Sequence, residues 1–393
     1  IGGYVSDYDL AEILARQSAD AFYFLEALGV PFVKKRRKPD QFVTDGSKYA
    51  RACYTGPRTA NDIEAALVRR LRGTAVRVFE NAVTAELILD EYGRAAIGAL
   101  CLKTDSGAFF GVEARSTILA TGGAGSAFKV NVYPEGMSGD GYSLAYRAGA
   151  ELVNMEFIQI GLSSLKTKLA CSGSLMRAVP RFVIANGKEF LAKHFPSGTS
   201  PIEIHSTVFR KGASWPVSQR EPSRIIDMAV SRETASGSRV FLDYRVDPSG
   251  FEFEALPQDV KDRYEKERKK IEKELTGKTP LQRLREINPQ SIAWLKGHGV
   301  DLEAGEMLEV APAAHHFQGG VKINRFAETN VRNLYAAGEC AGGQHGANRP
   351  GGNALLDCQV FGSTPPLPPR DKAMASVGRG VTERIVEQCR NPL

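Results

Sequence analysis

Residues 338–353 read GECAGGQHGANRPGGN, and residues 354–362 read ALLDCQVFG. The first stretch contains six glycines in 16 residues, which lets its backbone turn sharply and approach a bound molecule closely. The second stretch is predicted to be a helix, and its start would direct free backbone N–H groups and a positive dipole into the glycine-rich stretch. An anion or an electron-rich heterocycle such as reduced flavin is the natural occupant of such a site.

Two segments elsewhere place small residues directly after a short strand. Residues 116–121 read STILAT and run into GGAG at residues 122–125, and NLYAA at residues 333–337 runs into Gly338. Open α/β sheets bind ligands at the carboxyl ends of their strands. The sequence therefore predicts an α/β fold with a ligand at these strand ends, although residues 122–125 and 139–141 are also consistent with ordinary tight turns.

The composition is that of a globular protein with more than one domain. The chain has 393 residues, of which 42% are hydrophobic and 24% charged, so it fits two or three domains. Glycine clusters become sparse between about residues 162 and 310, where a highly charged helix is predicted at residues 257–274, and this change predicts an inserted domain. The net charge of +6 is concentrated in runs such as Lys34–Lys38 and Lys266–Lys270. Such runs are typical of solvated surface, and nucleic-acid binding is not expected.

Six cysteines are scattered along the chain without a CxxC pair. They are Cys53, Cys101, Cys171, Cys340, Cys358 and Cys389. The sequence therefore predicts no zinc, iron–sulfur or haem site, and no other metal site, within this chain. Free thiols are typical of a reducing compartment, which favours a cytoplasmic location. No apolar run approaches about 18 residues, so we expect no membrane-spanning helix.

Taken in order along the chain, several motifs resemble the flavoprotein subunits of fumarate reductase and succinate dehydrogenase, together with L-aspartate oxidase and the soluble fumarate reductases. The matching stretches are LATGGAG (119–125), SGDG (138–141), YRAGAEL (146–152), MEF (155–157), HHFQGGV (315–321), NLYAAGE (333–339) and HGANR (345–349). The ordered set is far more specific than one glycine motif would be.

The resemblance implies an α/β fold, in which a bipartite, Rossmann-like FAD-binding domain carries an inserted α+β capping domain. It implies the FAD-binding domain at residues 1–161 and 311–362, the capping domain at residues 162–310 and a tail at residues 363–393. The family's strand–GxGxxG–helix unit would lie upstream of Ile1, so we expect an N-terminal segment that this chain lacks. The residues that the resemblance places along FAD are Thr121, Gly122, Gly123, Ala124, Gly139, Asp140, Gly141, Glu339, Asn353, Ala354 and Leu355.

The resemblance also implies roles in hydride transfer between flavin N5 and a carbon–carbon double bond next to a carboxylate. Arg224 matches the arginine that gives a proton to the neighbouring carbon, and Arg177 matches a relay arginine. His315 and Arg349 match the pair that binds the substrate carboxylate, a role that suits a bidentate guanidinium and an imidazole donor.

Two positions depart from the family's pattern. Residues 161–163 read GLS where the family has His-Pro-Thr, and Ser174 stands where a glutamate would link the two arginines. The first change removes hydrogen bonds to one substrate carboxylate, each of which contributes about 1.5–3 kcal/mol. We therefore expect the substrate to be a monocarboxylate or a bulkier enoate and not fumarate.

The sequence thus predicts an FAD-dependent oxidoreductase that acts on a small carboxylate. Its electrons would be exchanged with a separate iron–sulfur, haem or flavin protein, and such a partner would hold it at the membrane if the complex is membrane-bound. Two alternatives stay open. One is an L-aspartate-oxidase-like enzyme that passes electrons to oxygen, and the other is a non-catalytic paralogue that keeps the fold as a structural subunit.

Overall fold

The computed structural model describes residues 2–43, 49–214, 217–219, 221–268 and 279–363. The α-helices of this part are α1 (Tyr8–Ala27), α2 (Thr59–Arg72), α3 (Asp140–Arg147), α4 (Ser174–Arg177), α5 (Pro201–Lys211), α6 (Arg224–Ala235), α7 (Gln258–Glu267), α8 (Pro280–Ile287), α9 (Pro289–Gly297) and α10 (Asn353–Ser363). The strands are β1 (Lys34–Lys35), β2 (Lys38–Pro39), β3 (Gln41–Val43), β4 (Ala50–Cys53), β5 (Ala82–Leu89), β6 (Ala96–Lys103), β7 (Phe109–Glu113), β8 (Thr117–Leu119), β9 (Leu152–Val153), β10 (Ile158–Ser164), β11 (Arg181–Ile184), β12 (Val240–Asp243), β13 (Leu308–Phe317), β14 (Gly320–Lys322), β15 (Leu334–Ala336) and β16 (Ala341–Gly342).

The two glycine-terminated strands predicted from the sequence are β8 and β15, and they are parallel neighbours. Leu334 lies opposite Thr117, and Ala336 lies opposite Leu119. Because both strands run in the same direction, the residues that follow them emerge at the same edge. The segment after Thr121 therefore lies beside Gly338, as the prediction of a ligand at these strand ends requires.

A second sheet is antiparallel and has the strand order β10-β13-β12-β11. Helices α4–α9 surround it, and together they bury an apolar core that includes Leu162, Ile226, Leu242 and Leu284. This α+β region is formed by the middle of the chain, whereas a separate core unites residues from both ends, such as Leu10 and Phe361. The two cores match the expected fold class.

The predicted domain limits lie inside regular strands. The limit at residue 161 falls within β10, and the limit at residue 310 falls within β13. These two strands pair with each other from Ile158 opposite Phe317 to Ser164 opposite Val310. The chain therefore passes between the two cores through one antiparallel ribbon, and the exact limits of the domains stay a prediction.

Helix α1 follows from a capped amphipathic pattern. The Asp7 side chain accepts a hydrogen bond from the Leu10 N–H group at 3.1 Å, which satisfies one of the free donors at the helix start. Leu10, Leu14 and Leu25 form its buried face. The spacing of the apolar residues alone predicts a helix at residues 9–29, close to the observed limits.

Two other predictions need comment. The β-branched and aromatic residues of Val76–Phe79 predict a strand. This prediction is wrong, because these residues lie in no strand and Val76, Val78 and Phe79 are exposed. β-Branched residues favour strands only where a neighbouring strand and a buried face are available. The charged helix predicted at residues 257–274 is α7, which ends at Glu267. Residues 269–278 and most of the predicted tail, residues 364–393, lie outside the described residues.

Candidate active site

Three glycine-containing segments pack against one another at the ends of β8 and β15. A Cβ atom on Gly123 would clash with the Glu339 carboxylate, and one on Gly141 would clash with the Thr121 hydroxyl and lie 2.9 Å from Cys340 Sγ. The Thr121 hydroxyl also contacts Cys340 Sγ at 3.3 Å. These glycines are therefore required for the close approach of protein segments, which is a different reason from the ligand contact predicted for them.

Glu339 is held by the protein at this junction. Its Oε1 atom accepts hydrogen bonds from the Tyr133 hydroxyl and, at 2.7 Å, from the Phe317 N–H group. Burial raises the pKa of Glu339 above its ordinary value, while the hydrogen bond from Tyr133 acts in the opposite direction. One carboxylate oxygen is thus already engaged, and His316 Nε2 lies 3.9 Å from the other.

The glycine-rich stretch lines a cavity of about 1050 Å³ that also borders α1 and β4. This volume is at the upper end of the range of about 300–1,000 Å³ that is typical of small-molecule sites. Among the residues expected along FAD, Asn353 and Leu355 line this cavity. The others do not line it, namely Thr121, Gly122, Gly123, Ala124, Gly139, Asp140, Gly141, Glu339 and Ala354.

Two long-range contacts fix the glycine-rich stretch in place. Arg51 donates hydrogen bonds to the Asn353 side chain at 2.9 Å and to the Gly351 carbonyl at 2.8 Å. The Gln159 amide donates to Asn348 Oδ1 and to the Arg349 carbonyl, both at 2.8 Å. These contacts bring the stretch against β4 on one side and β10 on the other. Neither Arg51 nor Gln159 was predicted, because each partner is far away in the sequence.

His315 is the extra residue of a β-bulge. Gln159 in β10 lies opposite His316, and the next residue, Ile160, lies opposite Ala314, so His315 interrupts the ladder between them. A bulge turns the side chain of its extra residue away from the regular alternation of the strand. The His315 ring is buried, and its Nε2 atom lies 2.6 Å from Ser163 Oγ.

Burial and positive charge keep the His315 imidazole neutral. Burial lowers its pKa to about 4, the charges of Arg349 and Lys211 act in the same direction, and a hydrogen bond with the Gly161 backbone opposes them. Arg349 is itself buried, and burial lowers the pKa of its guanidinium to about 10, against the opposing effect of Glu339. The charge of Arg349 therefore acts on His315, and the role of the two residues as the substrate pair stays a prediction.

Arg177 lies in the capping region and is engaged there. Its guanidinium pairs with Glu267 at 2.9 Å and donates to the Gly212 carbonyl at 3.0 Å. Ser174, which stands in the place of the family's glutamate, accepts a hydrogen bond from Asn288 at 2.9 Å. A carboxylate partner for Arg177 is thus present, but Glu267 supplies it from a distant part of the sequence.

Arg224 differs from His315 and Arg349 in its burial. Arg224 is exposed at the first position of α6, and its guanidinium donates weakly to the Glu221 carbonyl at 3.4 Å. The helical phase of α6 explains this exposure. Its buried face carries Ser223 and Asp227, which are four residues apart, and Arg224 lies off that face. The expected proton donor is therefore exposed, whereas His315 and Arg349 are buried, and its role stays a prediction.

The sequence analysis also missed Lys211 and Ser163. Ile204, Val208 and Lys211 follow the i, i+4, i+7 spacing of one helix face, and all three are buried. That spacing was the signal that could have placed a lysine inside the protein. Ser163 stands where the family has a threonine, and the sequence did not indicate that its hydroxyl contacts His315 directly.

Comparison with known proteins agrees with this geometry. The sequence profile of a family described as FAD binding domain matches residues 2–355 of the chain. The chain belongs to this FAD-binding family. Its predicted fold class and its resemblance to the fumarate reductase flavoproteins are confirmed, and FAD is its cofactor.

The similar proteins are longer than this chain. One subunit of the fumarate reductase (CoM/CoB) of Methanothermobacter marburgensis is 32% identical over 98% of this chain and 63% of its own length. L-Aspartate oxidase of Bacillus subtilis is 29% identical over 85% of this chain and 53% of its own length. The solved structure of Mycobacterium smegmatis Sdh1 is 26% identical with a TM-score of 0.67, over 99% of this chain and 60% of its own. The chain thus spans about three fifths of the length of such relatives.

The residues at the cavity fit FAD. Two buried polar atoms beside it lack a hydrogen-bond partner among the described residues: Gln344 Oε1, and His345 Nε2, whose nearest carboxylate oxygen is that of Asp357 at 3.5 Å. Buried polar atoms are normally paired, so an occupant with donors and acceptors on its edge, as a flavin ring has, would satisfy them. The start of α10 lies at the same wall. No helix within the described ranges is long and apolar enough to cross a membrane.

Proposed function

We propose that this protein is an FAD-dependent oxidoreductase that transfers hydride between flavin N5 and a carbon–carbon double bond next to a carboxylate. The observation that supports the proposal is that His315 and Arg349 are both buried, with Arg349 in the glycine-rich stretch, other residues of which line the cavity. A buried guanidinium beside a neutral imidazole is suited to an anion, because few water molecules compete for its donors.

The roles of the two side chains follow from their surroundings. The Arg349 guanidinium would bind both oxygens of the carboxylate, and its charge would stabilise the negative charge that grows there as the double bond is reduced. His315 Nε2 lies 2.6 Å from Ser163 Oγ. A carboxylate that takes the place of this hydroxyl would favour protonation of the imidazole, since a nearby negative charge favours the charged form. FAD, when bound, supplies the hydride.

The partner and the substrate are proposed on similar grounds. The name of the Methanothermobacter relative describes it as one subunit of its enzyme, which supports a separate protein as the electron partner. Gly161 leaves more space than the family's histidine would, which supports a monocarboxylate or a bulkier enoate. A cytoplasmic position, at a membrane only through partner subunits, remains our prediction.

A stopped-flow experiment tests the proposal against the oxidase alternative. The flavin of the full-length protein is reduced without oxygen and then mixed with a panel of enoates or with oxygenated buffer. We expect at least one enoate to reoxidise the flavin faster than buffer, and Arg349→Met to slow this reaction at least about tenfold. Reoxidation by oxygen alone would favour an L-aspartate-oxidase-like enzyme instead, and a protein without a flavin absorption band would contradict both.

A further inference from the structure

Lys211 is a buried cation at the end of α5. Its side chain is 1% exposed, and its ammonium lies 2.9 Å from Asp227 Oδ2 in α6. It also donates a hydrogen bond to the Ser214 carbonyl at 2.9 Å. A lysine ammonium has three donor hydrogens, and no acceptor for the third is found among the described residues. One donor is therefore available to a ligand.

The buried face of α6 adds another polar group beside this pair. Ser223 lies one turn before Asp227 and is 3% exposed, and its hydroxyl has no hydrogen-bond partner in the described part of the chain. Helix α6 packs against β13, the strand that carries His315. A buried hydroxyl and a buried ammonium that both retain capacity for hydrogen bonds point to a polar occupant at this position.

The chain that follows Lys211 runs to the same strands. The Val217 N–H group donates to the Ile160 carbonyl of β10 at 3.0 Å, directly before Gly161. The charge of Lys211 is close enough to His315 to lower its pKa, although burial is the larger cause. The charges of two cations thus act on His315, that of Arg349 from the glycine-rich stretch and that of Lys211 from the capping region.

A role in packing alone explains this arrangement poorly. Taking an ammonium and a carboxylate out of water costs several kcal/mol for each ion, and apolar residues of similar size often stabilise a protein equally well or better. The arrangement is explained if the ammonium also contacts an anionic ligand, because buried ionisable groups are often found at functional sites.

We propose that Lys211 binds an anionic oxygen of the substrate beside His315, and that Asp227 positions its ammonium. Lys211 would then be the third donor of the substrate site, after His315 and Arg349. The inference rests on the proposed function, because it takes the occupant of the site to be a carboxylate. Lys211 would also be a buried cation in the capping region, where Arg224 is exposed.

Calorimetric titration of the full-length, FAD-loaded protein tests the inference without turnover. The oxidised protein is titrated with crotonate and with fumarate, which carry one and two carboxylates. Lys211→Met combined with Asp227→Asn removes both charges, so that no buried ion is left alone. We expect this double variant to bind the preferred carboxylate at least about tenfold more weakly than the wild type.

A matched control comes from another lysine that pairs with α6. Lys193 contacts Glu233 of this helix at 2.6 Å, but its side chain is 58% exposed, and Lys193→Met should leave the dissociation constant within about twofold. If the first double variant does not fold, a second one takes its place in the titration. It combines Lys211→Gln with Asp227→Asn and so retains hydrogen-bonding groups at both positions. We expect the same weakening from it.

The outcomes separate this inference from the proposed function. If the wild type binds FAD but neither carboxylate, the proposed function fails, and the inference fails with it. If the wild type binds a carboxylate and both charge-free variants bind it equally well at equal FAD content, only the role of Lys211 is overturned. Equal weakening by Lys193→Met would also overturn it, because the effect would then be one of general charge.

Discussion

Glu339 offers the sharpest test of the junction at the ends of β8 and β15. Its Oε1 atom accepts hydrogen bonds from the buried Tyr133 hydroxyl and from the Phe317 N–H group. Glu339→Ala leaves the Tyr133 hydroxyl without its acceptor, whereas the Phe317 N–H group keeps a hydrogen bond to the Tyr133 hydroxyl oxygen at 3.0 Å. An unsatisfied buried donor costs about 1–3 kcal/mol, so we expect the free energy of unfolding to fall by roughly this amount.

Glu339→Gln separates the hydrogen bonds from the charge. The amide oxygen can still accept both bonds, so the loss should be about 1 kcal/mol. Burial raises the pKa of Glu339 in the folded protein. The unfolded chain therefore releases this proton at lower pH than the folded protein, and wild-type stability falls as the pH rises above the unfolded value of about 4.3. Glutamine does not ionise, so the advantage of the wild type over Glu339→Gln should shrink with rising pH.

Urea unfolding of the full-length, FAD-loaded protein, followed by circular dichroism between pH 5 and 8, measures both effects. Glu151→Ala is the control, because Glu151 forms an exposed ion pair with Lys322 at 2.8 Å and such pairs contribute about 0–1 kcal/mol. The reasoning is refuted if Glu339→Ala and Glu151→Ala unfold at the same urea concentration. It is refuted equally if the advantage of the wild type over Glu339→Gln grows as the pH rises.

Three further predictions concern the candidate site and its surroundings. Ser163→Ala should raise the pKa of His315 above about 4, because the hydroxyl no longer competes with a proton at Nε2, and an NMR titration that finds no change would contradict this contact. Gly141→Ala should destabilise the protein by about 1–3 kcal/mol because its Cβ atom would clash with the Thr121 hydroxyl. The control is Gly297→Ala, whose Cβ atom meets no atom within 4 Å, and it should be neutral or stabilising in the same thermal melt. Arg224→Ala should leave the rate of flavin reoxidation by an enoate within about threefold, since an exposed helix-end arginine contributes little to a buried site. A hundredfold slower reoxidation would instead support Arg224 as the proton donor.

Much of the flavin side could be predicted from the sequence because its signals are local. Small residues directly after β8 and β15 mark a place where backbone segments must approach closely, and the structure brings these two strand ends together in parallel. The glycine-rich stretch and the helix after it are continuous in the chain. One segment of sequence therefore predicted both the helix at Asn353–Ser363 and a ligand cavity beside its start. Contact with a ligand was the reason expected for these glycines, and it is incomplete, because Gly123 and Gly141 also make room for atoms of Glu339 and Thr121.

The capping side was harder to predict because its contacts join distant residues. The carboxylate partner of Arg177 is Glu267, which is 90 residues away in the chain, and a search near Ser174 could not find it. The exposure of Arg224 could not be predicted, because one position on a helix changes the direction of a side chain by about 100°, which is the difference between solvent and core. Lys211 was overlooked because a lysine is rarely buried without a partner, and its partner Asp227 lies on another helix.

The ribbon formed by β10 and β13 has a mechanical consequence. It is the route by which the chain passes between the two cores, and its strands are hydrogen-bonded to each other along their length. Two independent linkers would let the capping region swing freely, but a paired ribbon responds to rotation by twisting. Because His315 is the bulged residue of that ribbon, any such twist changes its direction relative to Arg349, which lies on the glycine-rich stretch. If His315 and Arg349 bind a carboxylate as proposed, opening of the capping region would move these two residues apart, and closure would bring them together.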